Sequence, residues 1–372
     1  MARSKRILTL DGGGAWALIE VQALISLYGA SARGHDVLAE FDLAASNSGG
    51  SLVLGGLLMD IPLLDLAGLF LDEARRRQVF AGGGAFPGRY RAEGKLAGLR
   101  AILGATDRAV ADWTPGAGNR GRRLPHLLFC AYDVIRQRGH LFRSDLSAPA
   151  ASFDPGRTAT VAEAIHASSD APILYFDDVA RTADGKAYWD GAIAGWNCPA
   201  AVAVTEALSY GWAATDIALL SLGTGRVLEK NQPVRPPTND LGLRLSRVLT
   251  EVKWLLSAIL KEPANGAPLH AHILLGGALP PPMGAPVTDG PVVRMNPMPV
   301  PADAGYAALA ALDMDAVAAA EVALIGRLAT DWLQNRIRNE PVRMNAATNL
   351  EIGQARASDA AQLWQKLAPP RI

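Results

Sequence analysis

Short apolar runs alternate with longer amphipathic segments along much of the chain. Each short run is bounded by glycines or polar turn residues, which is typical of buried strands. The strands predicted in this way are Ile7–Leu10, Phe41–Ala45, Leu124–Val134 and Ile217–Leu222. After the first strand, apolar side chains recur at helical spacing from Leu18 to Tyr28 and stop near Gly29. This alternation predicts an α/β fold with a parallel sheet covered by helices.

Five other segments carry weaker signals. Arg75–Arg123 is rich in glycine and arginine and is either a flap or a solvated loop region. Pro233–Gly242 is a turn-rich linker, Leu279–Gly305 is rich in proline, and the alanine-rich stretch Tyr306–Leu333 predicts one packing helix. Leu243–Lys261 is amphipathic with basic side chains, which fits a helix docked on the core or one at a membrane interface. We favour the docked helix.

The composition narrows the class of protein. There are 36 basic and 36 acidic side chains, and this balance disfavours nucleic acid as a partner. Cys130 and Cys198 lie in apolar contexts without metal-ligand spacing, so we expect core thiols in a reducing compartment, with a disulfide as the minor alternative. Two aspartates and a proline interrupt the apolar stretch Leu52–Leu71, which argues against a membrane-spanning helix. We therefore expect a soluble, cytoplasmic protein.

The segment from Phe41 to Gly50 carries the first chemical signal. Its apolar strand runs into Ser46-Asn47-Ser48-Gly49-Gly50, whose small residues allow a sharp turn from strand to helix. Such a turn pushes the hydroxyl of Ser48 out of the sheet, which is the geometry of a nucleophile elbow. A polar turn that caps a helix is the alternative, and this segment alone does not separate the two.

A glycine loop, Asp11-Gly12-Gly13-Gly14, lies between the first strand and the first helix. Its backbone N–H groups and the helix N-terminus can hold an anion, either a phosphate or the oxyanion of acyl transfer. Gly12, Gly14 and Ala17 also fit a dinucleotide fingerprint, so a nucleotide-binding oxidoreductase is an alternative. We disfavour it because that site needs an acidic residue near the end of the second strand, whereas Asp42 stands at its start.

A serine hydroxyl is a poor nucleophile without a base to accept its proton. Asp190 ends an apolar stretch and is followed by Gly191, and burial beside its aromatic neighbours would raise its pKa toward a useful range. An ordinary Asp-Gly turn is the plain alternative. A Ser-His-Asp triad is another, and His270 and His272 are the only histidines after Asp190.

Taken in order, these motifs resemble the patatin-like phospholipase family, which has a strand, an Asp-Gly-Gly-Gly loop, a serine elbow and a distant Asp-Gly-Gly/Ala. Here they are Asp11–Gly14, Ser46–Gly50 and Asp190-Gly191-Ala192. Ala164–Pro172 and Ser221–Gly225 match two further segments of the family pattern. The resemblance runs from about Ile7 to Gly225.

The resemblance implies a three-layer α/β/α fold with a central, mostly parallel sheet. The catalytic core would span residues 1–230, and residues 231–372 would form an extension packed on the same domain. Ser48 would be the nucleophile and Asp190 its base. The oxyanion loop would be formed by Gly12, Gly13, Gly14 and the N–H of Gly49.

The implied reaction is hydrolysis of the acyl esters of lipids or phospholipids through an acyl-enzyme, without a catalytic histidine, metal or cofactor. Such a substrate leaves peripheral membrane association open, and the oligomeric state is not predicted.

Two positions depart from the family pattern. Trp16 stands where the family has an arginine, and Ser46 stands where the elbow has its first glycine. These changes put phospholipid preference and catalytic efficiency in question more than the fold. They also keep a third alternative, a weakly active family member that serves as a membrane-binding or interaction protein.

Overall fold

A computed structural model covers the chain. The residues that it describes are 3–80, 82, 89–113, 121–145, 158–172, 175–227, 251, 255, 258–259, 263–281, 284–345 and 350–371.

Eight strands form one central sheet, in the spatial order β5-β6-β3-β2-β1-β7-β8 with β4 also paired to β3. The strands are β1 (Lys5–Leu10), β2 (Leu43–Ser46), β3 (His126–Asp133), β4 (Arg138–Arg143), β5 (Ala180–Arg181), β6 (Ala187–Asp190), β7 (Ile217–Leu222) and β8 (Val292–Met295). β3, β2, β1, β7 and β8 run parallel, whereas β4 and β6 are antiparallel to β3. A separate hairpin pairs β9 (Arg343–Asn345) with β10 (Leu350–Ile352).

The described helices alternate with these strands. They are α1 (Leu18–Tyr28), α2 (Gly34–Leu38), α3 (Ser48–Leu58), α4 (Leu63–Leu71), α5 (Glu73–Val79), α6 (Ala92–Leu103), α7 (Val161–Ser168), α8 (Ala200–Ser209), α9 (263–274), α10 (Tyr306–Ala310), α11 (Ala319–Leu333) and α12 (Ala357–Leu367).

The sheet is buried on both faces. Successive side chains of a strand point to opposite faces, and in β1 Leu8 and Leu10 join one apolar cluster while Ile7 joins the other. The larger cluster includes side chains of α1, α3, α7, α11 and α12, and the smaller one those of α8 and α9. Helices therefore cover a mostly parallel sheet on two sides, and the predicted three-layer α/β/α fold is confirmed.

One edge of β3 is shared by two strands that lie end to end. β2 pairs with the first half of β3, with Ser46 opposite Phe129, and β6 pairs with the second half, with Asp190 opposite Ala131. β4 pairs with β3 from Leu128 to Asp133 and so takes the other edge. The carboxyl ends of β2 and β6 consequently meet, although they are far apart in sequence.

Two predictions of local structure are wrong. Tyr306–Leu333 is not one helix, because α10 ends at Ala310 and α11 begins at Ala319. The intervening loop makes tertiary contacts that outweigh its helix propensity: the carbonyl of Met314 accepts the N–H of Ala15 at 2.9 Å. Arg75–Arg123 is not mainly loop, since α5 and α6 occupy much of its described part.

The C-terminal third contributes to the same sheet. The proline-rich stretch Leu279–Gly305 contains β8, which pairs in parallel with β7. The amphipathic stretch Leu243–Lys261 and the linker Pro233–Gly242 fall mostly or wholly outside the described residues.

Cys130 and Cys198 are both free and buried, as predicted. Across the described ranges, no helix is both long and apolar enough to cross a membrane.

The turn from β2 to α3 is sharp and strained. Ser48 has a φ of 47°, in the left-handed region that side chains other than glycine rarely occupy. Gly49 is needed beside it, because a Cβ there would lie 2.6 Å from the carbonyl oxygen of Gly14. The geometry is that of an elbow and not of a relaxed helix cap.

This strain predicts a stability difference between two substitutions. The left-handed conformation costs a non-glycine residue about 1–2 kcal/mol, and the extra chain entropy of glycine offsets about 0.5–1 kcal/mol of that. Ser48→Gly should therefore be more stable than Ser48→Ala by about 0.5–1 kcal/mol in urea unfolding, since both variants lose the same hydroxyl. An alanine variant as stable as the glycine variant, or more so, would contradict a strained turn.

Candidate active site

Ser48 lies at the carboxyl edge of the parallel strands, at the wall of a pocket. Gly13, Gly14, Gly49 and Asp190 line the same pocket. The peptide N–H of Ser48 donates to the hydroxyl of Ser168 at 3.0 Å and so fixes the start of α3.

Asp190 ends β6 directly beside the elbow. It lines the pocket together with Ser48, whose side chain is near enough to lower the pKa of the Asp190 carboxyl. Its Oδ1 accepts from Asn47 Nδ2 at 2.9 Å and from the peptide N–H of Ala192 at 2.9 Å. The structure thus brings together the serine and the aspartate that sequence singled out, and Asn47 orients the aspartate from within the elbow.

The protonation of Asp190 reflects opposing effects. Burial raises its pKa, because desolvation disfavours the carboxylate, and Asp190 is only 3% exposed. Hydrogen bonds from Ala192, Asn47 and Ser48 and the charge of Lys95 lower the pKa and partly offset that effect.

Lys95 is a buried cation in the wall of this pocket. Its Nζ lies 2.9 Å from Asp170 Oδ1 and 3.2 Å from the carbonyl oxygen of His166. It also lies 3.8 Å from the ring centroid of Phe176, a cation–π distance. Burial raises the pKa of Asp170 to about 6 although Lys95 lowers it, so Asp170 is ionised at neutral pH. The backbone N–H of Asp190 donates to the Asp170 carbonyl at 3.1 Å, which ties the pair to the site.

The glycine loop is anchored through its other backbone groups. The N–H of Gly12 donates to the carbonyl of Asn197 at 2.8 Å, and the Gly12 carbonyl accepts from Thr224 Oγ1 at 2.8 Å. Asp11 forms an ion pair with Arg294 of β8 at 2.6 Å, with both side chains buried. Gly12 thus has its N–H already engaged, whereas Gly13 and Gly14 border the pocket itself.

Ser46, which stands in place of the first glycine of the elbow, has a hydrogen-bonding partner for its hydroxyl. The hydroxyl of Ser46 is fully buried and lies 3.0 Å from that of Ser51, which in turn lies 2.8 Å from that of Ser168. Ser46 therefore adds a hydroxyl chain behind the elbow without blocking it. Ser168 ends α7, so the segment Ala164–Pro172 positions the elbow.

The loop between α10 and α11 forms one rim of the pocket. Met314 and Asp315 line it, and the Met314 carbonyl holds the glycine loop through Ala15. The guanidinium of Arg89 forms ion pairs with two carboxylates of this loop, at 2.8 Å from Asp313 Oδ2 and 2.9 Å from Asp315 Oδ2. This C-terminal segment thus completes a site that is otherwise built from the first 200 residues.

Trp16 does not occupy the pocket. Its indole N–H donates to the carbonyl of Asp313 at 3.1 Å and its ring is buried. The Met314 carbonyl occupies the Ala15 N–H, at the helix start that a dinucleotide phosphate would need. One backbone donor that a dinucleotide phosphate would use is therefore already engaged.

No histidine lines the pocket within the described part of the chain. His272 is held elsewhere, with Nε2 at 2.9 Å from the carbonyl oxygen of Ala278. In the same residues, no group of three or more His, Cys, Asp or Glu side chains is placed to hold a metal ion.

Sequence reasoning missed several residues that shape the site. Lys95 lies in a glycine- and arginine-rich stretch where nothing distinguishes it from a solvated lysine, and Arg294 lies in a proline-rich stretch that hid β8. Asn47 and Ser168 belonged to the motifs that were identified, but their partners depend on the three-dimensional contacts. Met314 was assigned to a continuous helix.

Comparisons with known proteins give one family match and two structural likenesses. The family of patatin-like phospholipases matches over residues 8–204. VipD from Legionella pneumophila, known from a crystal structure, has 9% sequence identity to this chain and a TM-score of 0.38. The match covers 88% of this chain and 67% of VipD. The type III effector protein ExoU, also known from a crystal structure, has 12% sequence identity to this chain and a TM-score of 0.26. The match covers 71% of this chain and 54% of ExoU. No curated protein matches the sequence significantly.

The family match covers just over half of the 372 residues. It includes the glycine loop, the elbow and the aspartate that the fold gathers at one pocket. The chain belongs to the patatin-like phospholipase family.

Proposed function

We propose that the protein is a serine acyl hydrolase that cleaves carboxylic esters of lipids through an acyl-enzyme on Ser48. Family membership supports lipid hydrolysis in general. The finer assignment rests on one observation: Ser48 and the buried carboxyl of Asp190 line the same pocket, where the Ser48 side chain acts to lower the pKa of that carboxyl.

In the proposed reaction, Ser48 Oγ attacks the ester carbonyl carbon while its proton passes to Asp190. The resulting oxyanion accepts hydrogen bonds from the N–H groups of Gly13, Gly14 and Gly49. Collapse breaks the bond to the alcohol, which takes the proton back from Asp190. Water then attacks the acyl-enzyme by the same route, releases the carboxylic acid and restores Ser48.

The glycine loop is assigned a divided role. Gly13, Gly14 and Gly49 border the pocket and are proposed as the oxyanion donors. Gly12 is proposed as a structural member, because its N–H already donates to Asn197. Anchoring by Thr224 and by the Asp11–Arg294 ion pair supports a loop that is fixed before substrate arrives.

Two alternatives receive less support. A triad through His270 or His272 lacks a histidine at the described pocket. A weakly active interaction protein was suggested by Trp16 and Ser46, yet both side chains pack outside the pocket with their polar atoms hydrogen-bonded.

Removing either proposed reacting group should abolish most activity. Ser48→Ala loses the nucleophile, and Asp190→Asn keeps the shape of the base but cannot accept the proton. For each we expect kcat/KM for p-nitrophenyl butyrate to fall by about three orders of magnitude or more. The matched control is the double substitution His270→Ala/His272→Ala, which should stay within about twofold of wild type. Full activity in either Ser48→Ala or Asp190→Asn would reject the dyad.

The buried Lys95–Asp170 pair predicts a pH effect. Activity should fall as pH drops and Asp190, the proposed base, takes up a proton, because burial raises the pKa of Asp190, as it raises that of Asp170 to about 6. Lys95→Met removes a positive charge and so raises the pKa values of both carboxylates. The acidic limb of kcat/KM against pH should therefore move to higher pH.

A stability measurement accompanies that profile. Lys95→Met leaves a buried charge unpaired and should cost about 3–5 kcal/mol in urea unfolding. Adding Asp170→Asn to Lys95→Met should recover most of that stability, because the unpaired negative charge is removed as well. It should also move the acidic limb of kcat/KM against pH back toward its wild-type position. If Lys95→Met folds and keeps the wild-type limb, Lys95 does not act on the protonation of the site.

A further inference from the structure

Asn197 lines the pocket around Ser48, and so far only its backbone has a role there. It stands in the connection between β6, which ends at Asp190, and α8, which begins at Ala200. Its carbonyl holds the glycine loop by accepting the N–H of Gly12 at 2.8 Å. Because this contact is made by the backbone, a substitution at position 197 can remove the side chain and keep the anchor.

The side-chain amide of Asn197 lies next to the proposed nucleophile. A Cβ built on Gly12 would lie 2.0 Å from Asn197 Oδ1 and 3.0 Å from the Cβ of Ser48. The amide and the serine side chain therefore meet in the space that a side chain on Gly12 would need.

The orientation of this amide is set by Asn47. Asn197 Oδ1 accepts from Asn47 Nδ2 at 3.4 Å, and the same Nδ2 donates to Asp190 Oδ1 at 2.9 Å. The Asn197 oxygen is thus turned toward Asn47, which leaves its Nδ2, with two N–H groups, as the remaining polar group. Among the residues that the structure describes, this Nδ2 has no hydrogen-bond acceptor. It is available to an oxygen atom in the pocket.

The neighbours of Asn197 indicate which oxygen that is. The proposed oxyanion donors form a group of their own, since a Cβ on Gly49 would lie 2.7 Å from the nitrogen of Gly14. Asn197 instead shares the amide of Asn47 with Asp190. In the proposed reaction Asp190 returns its proton to the departing alcohol, so the leaving oxygen must come to the side of the pocket where Asn197 stands.

We propose that Asn197 is a further catalytic residue, whose Nδ2 donates a hydrogen bond to the leaving oxygen of the ester. As the bond between this oxygen and the carbonyl carbon breaks, its electron pair stays on the oxygen. The amide N–H stabilises the developing charge until the proton arrives from Asp190. In deacylation a water oxygen takes the same place, held by Asn197 while Asp190 accepts its proton.

This inference rests on the proposed acyl hydrolysis and adds a dependence on the alcohol part of the substrate. An alkoxide is a strong base that leaves with difficulty, whereas p-nitrophenolate is a weak base that leaves without help. Hydrolysis of alkyl esters should therefore need Asn197 far more than hydrolysis of p-nitrophenyl esters does.

Two butyrate esters test this dependence, because they share the acyl group and differ in the alcohol that leaves. Asn197→Ala should lower kcat/KM for glyceryl monobutyrate by about tenfold or more, the loss expected for a hydrogen bond to a charged atom. We expect kcat/KM for p-nitrophenyl butyrate to fall by less than about threefold. This parameter reports the steps up to release of the alcohol, so the deacylation that both esters share does not enter it.

Two further variants complete the experiment. Asn197→Leu removes the same amide at nearly constant volume and serves as the second variant if Asn197→Ala does not fold. The matched control is Asn335→Ala, because Asn335 is exposed and does not line the pocket. It should leave the ratio of the two esters within about twofold of wild type.

The outcomes separate this inference from the proposed function. If the folded variants lower kcat/KM for both esters by the same factor, Asn197 only positions its neighbours, and the inference is overturned while the proposed hydrolysis stands. Unchanged rates for both esters overturn it as well, as does a wild-type protein that cleaves only the p-nitrophenyl ester. A wild-type protein that cleaves neither ester overturns the proposed function and this inference with it.

Discussion

The site depends on how one strand distributes its hydrogen-bonding edge. β3 gives one edge to β4 and divides the other between β2 and β6, so that Ser46 and Asp190 face residues only two positions apart on β3. A strand rises about 3.3 Å per residue, which keeps the two strand ends within side-chain reach. Asn47 then links the two ends through its hydrogen bond to Asp190. The elbow and the aspartate are thus held together by backbone pairing rather than by a flexible loop.

Burial makes the charges around this junction costly unless each is compensated. Asp190 and Asp170 share the positive charge of Lys95 on one side of Ser48. On the other side, Asp11 pairs with Arg294, and burial raises the pKa of nearby Glu20 well above its usual range. Both cations come from parts of the chain outside the recognised motifs. The motifs therefore supply the acidic residues, and other parts of the fold supply the cations that balance their charge.

Sequence was most informative where a local pattern has a single structural meaning. β1, α1 and β7 are short apolar runs that end at or near a glycine, and their bounds are predicted closely because neighbouring residues decide them. The order of glycine loop, serine turn and aspartate also anticipated which residues share a pocket. What sequence could not supply were contacts decided at a distance. The loop containing Met314 is helix-forming in composition, yet its carbonyl is needed by Ala15, nearly three hundred residues earlier. Lys95 looks like any surface lysine until Asp170 is placed beside it.

The central claim is that Ser48 is activated by Asp190, and covalent labelling tests it most directly. The protein would be incubated with a fluorophosphonate and its modified peptide identified by mass spectrometry, with labelling rates compared between wild type and Asp190→Asn. The account predicts one adduct, on Ser48, formed much more slowly in Asp190→Asn. An adduct on another serine, or equal labelling rates in the two proteins, would contradict it.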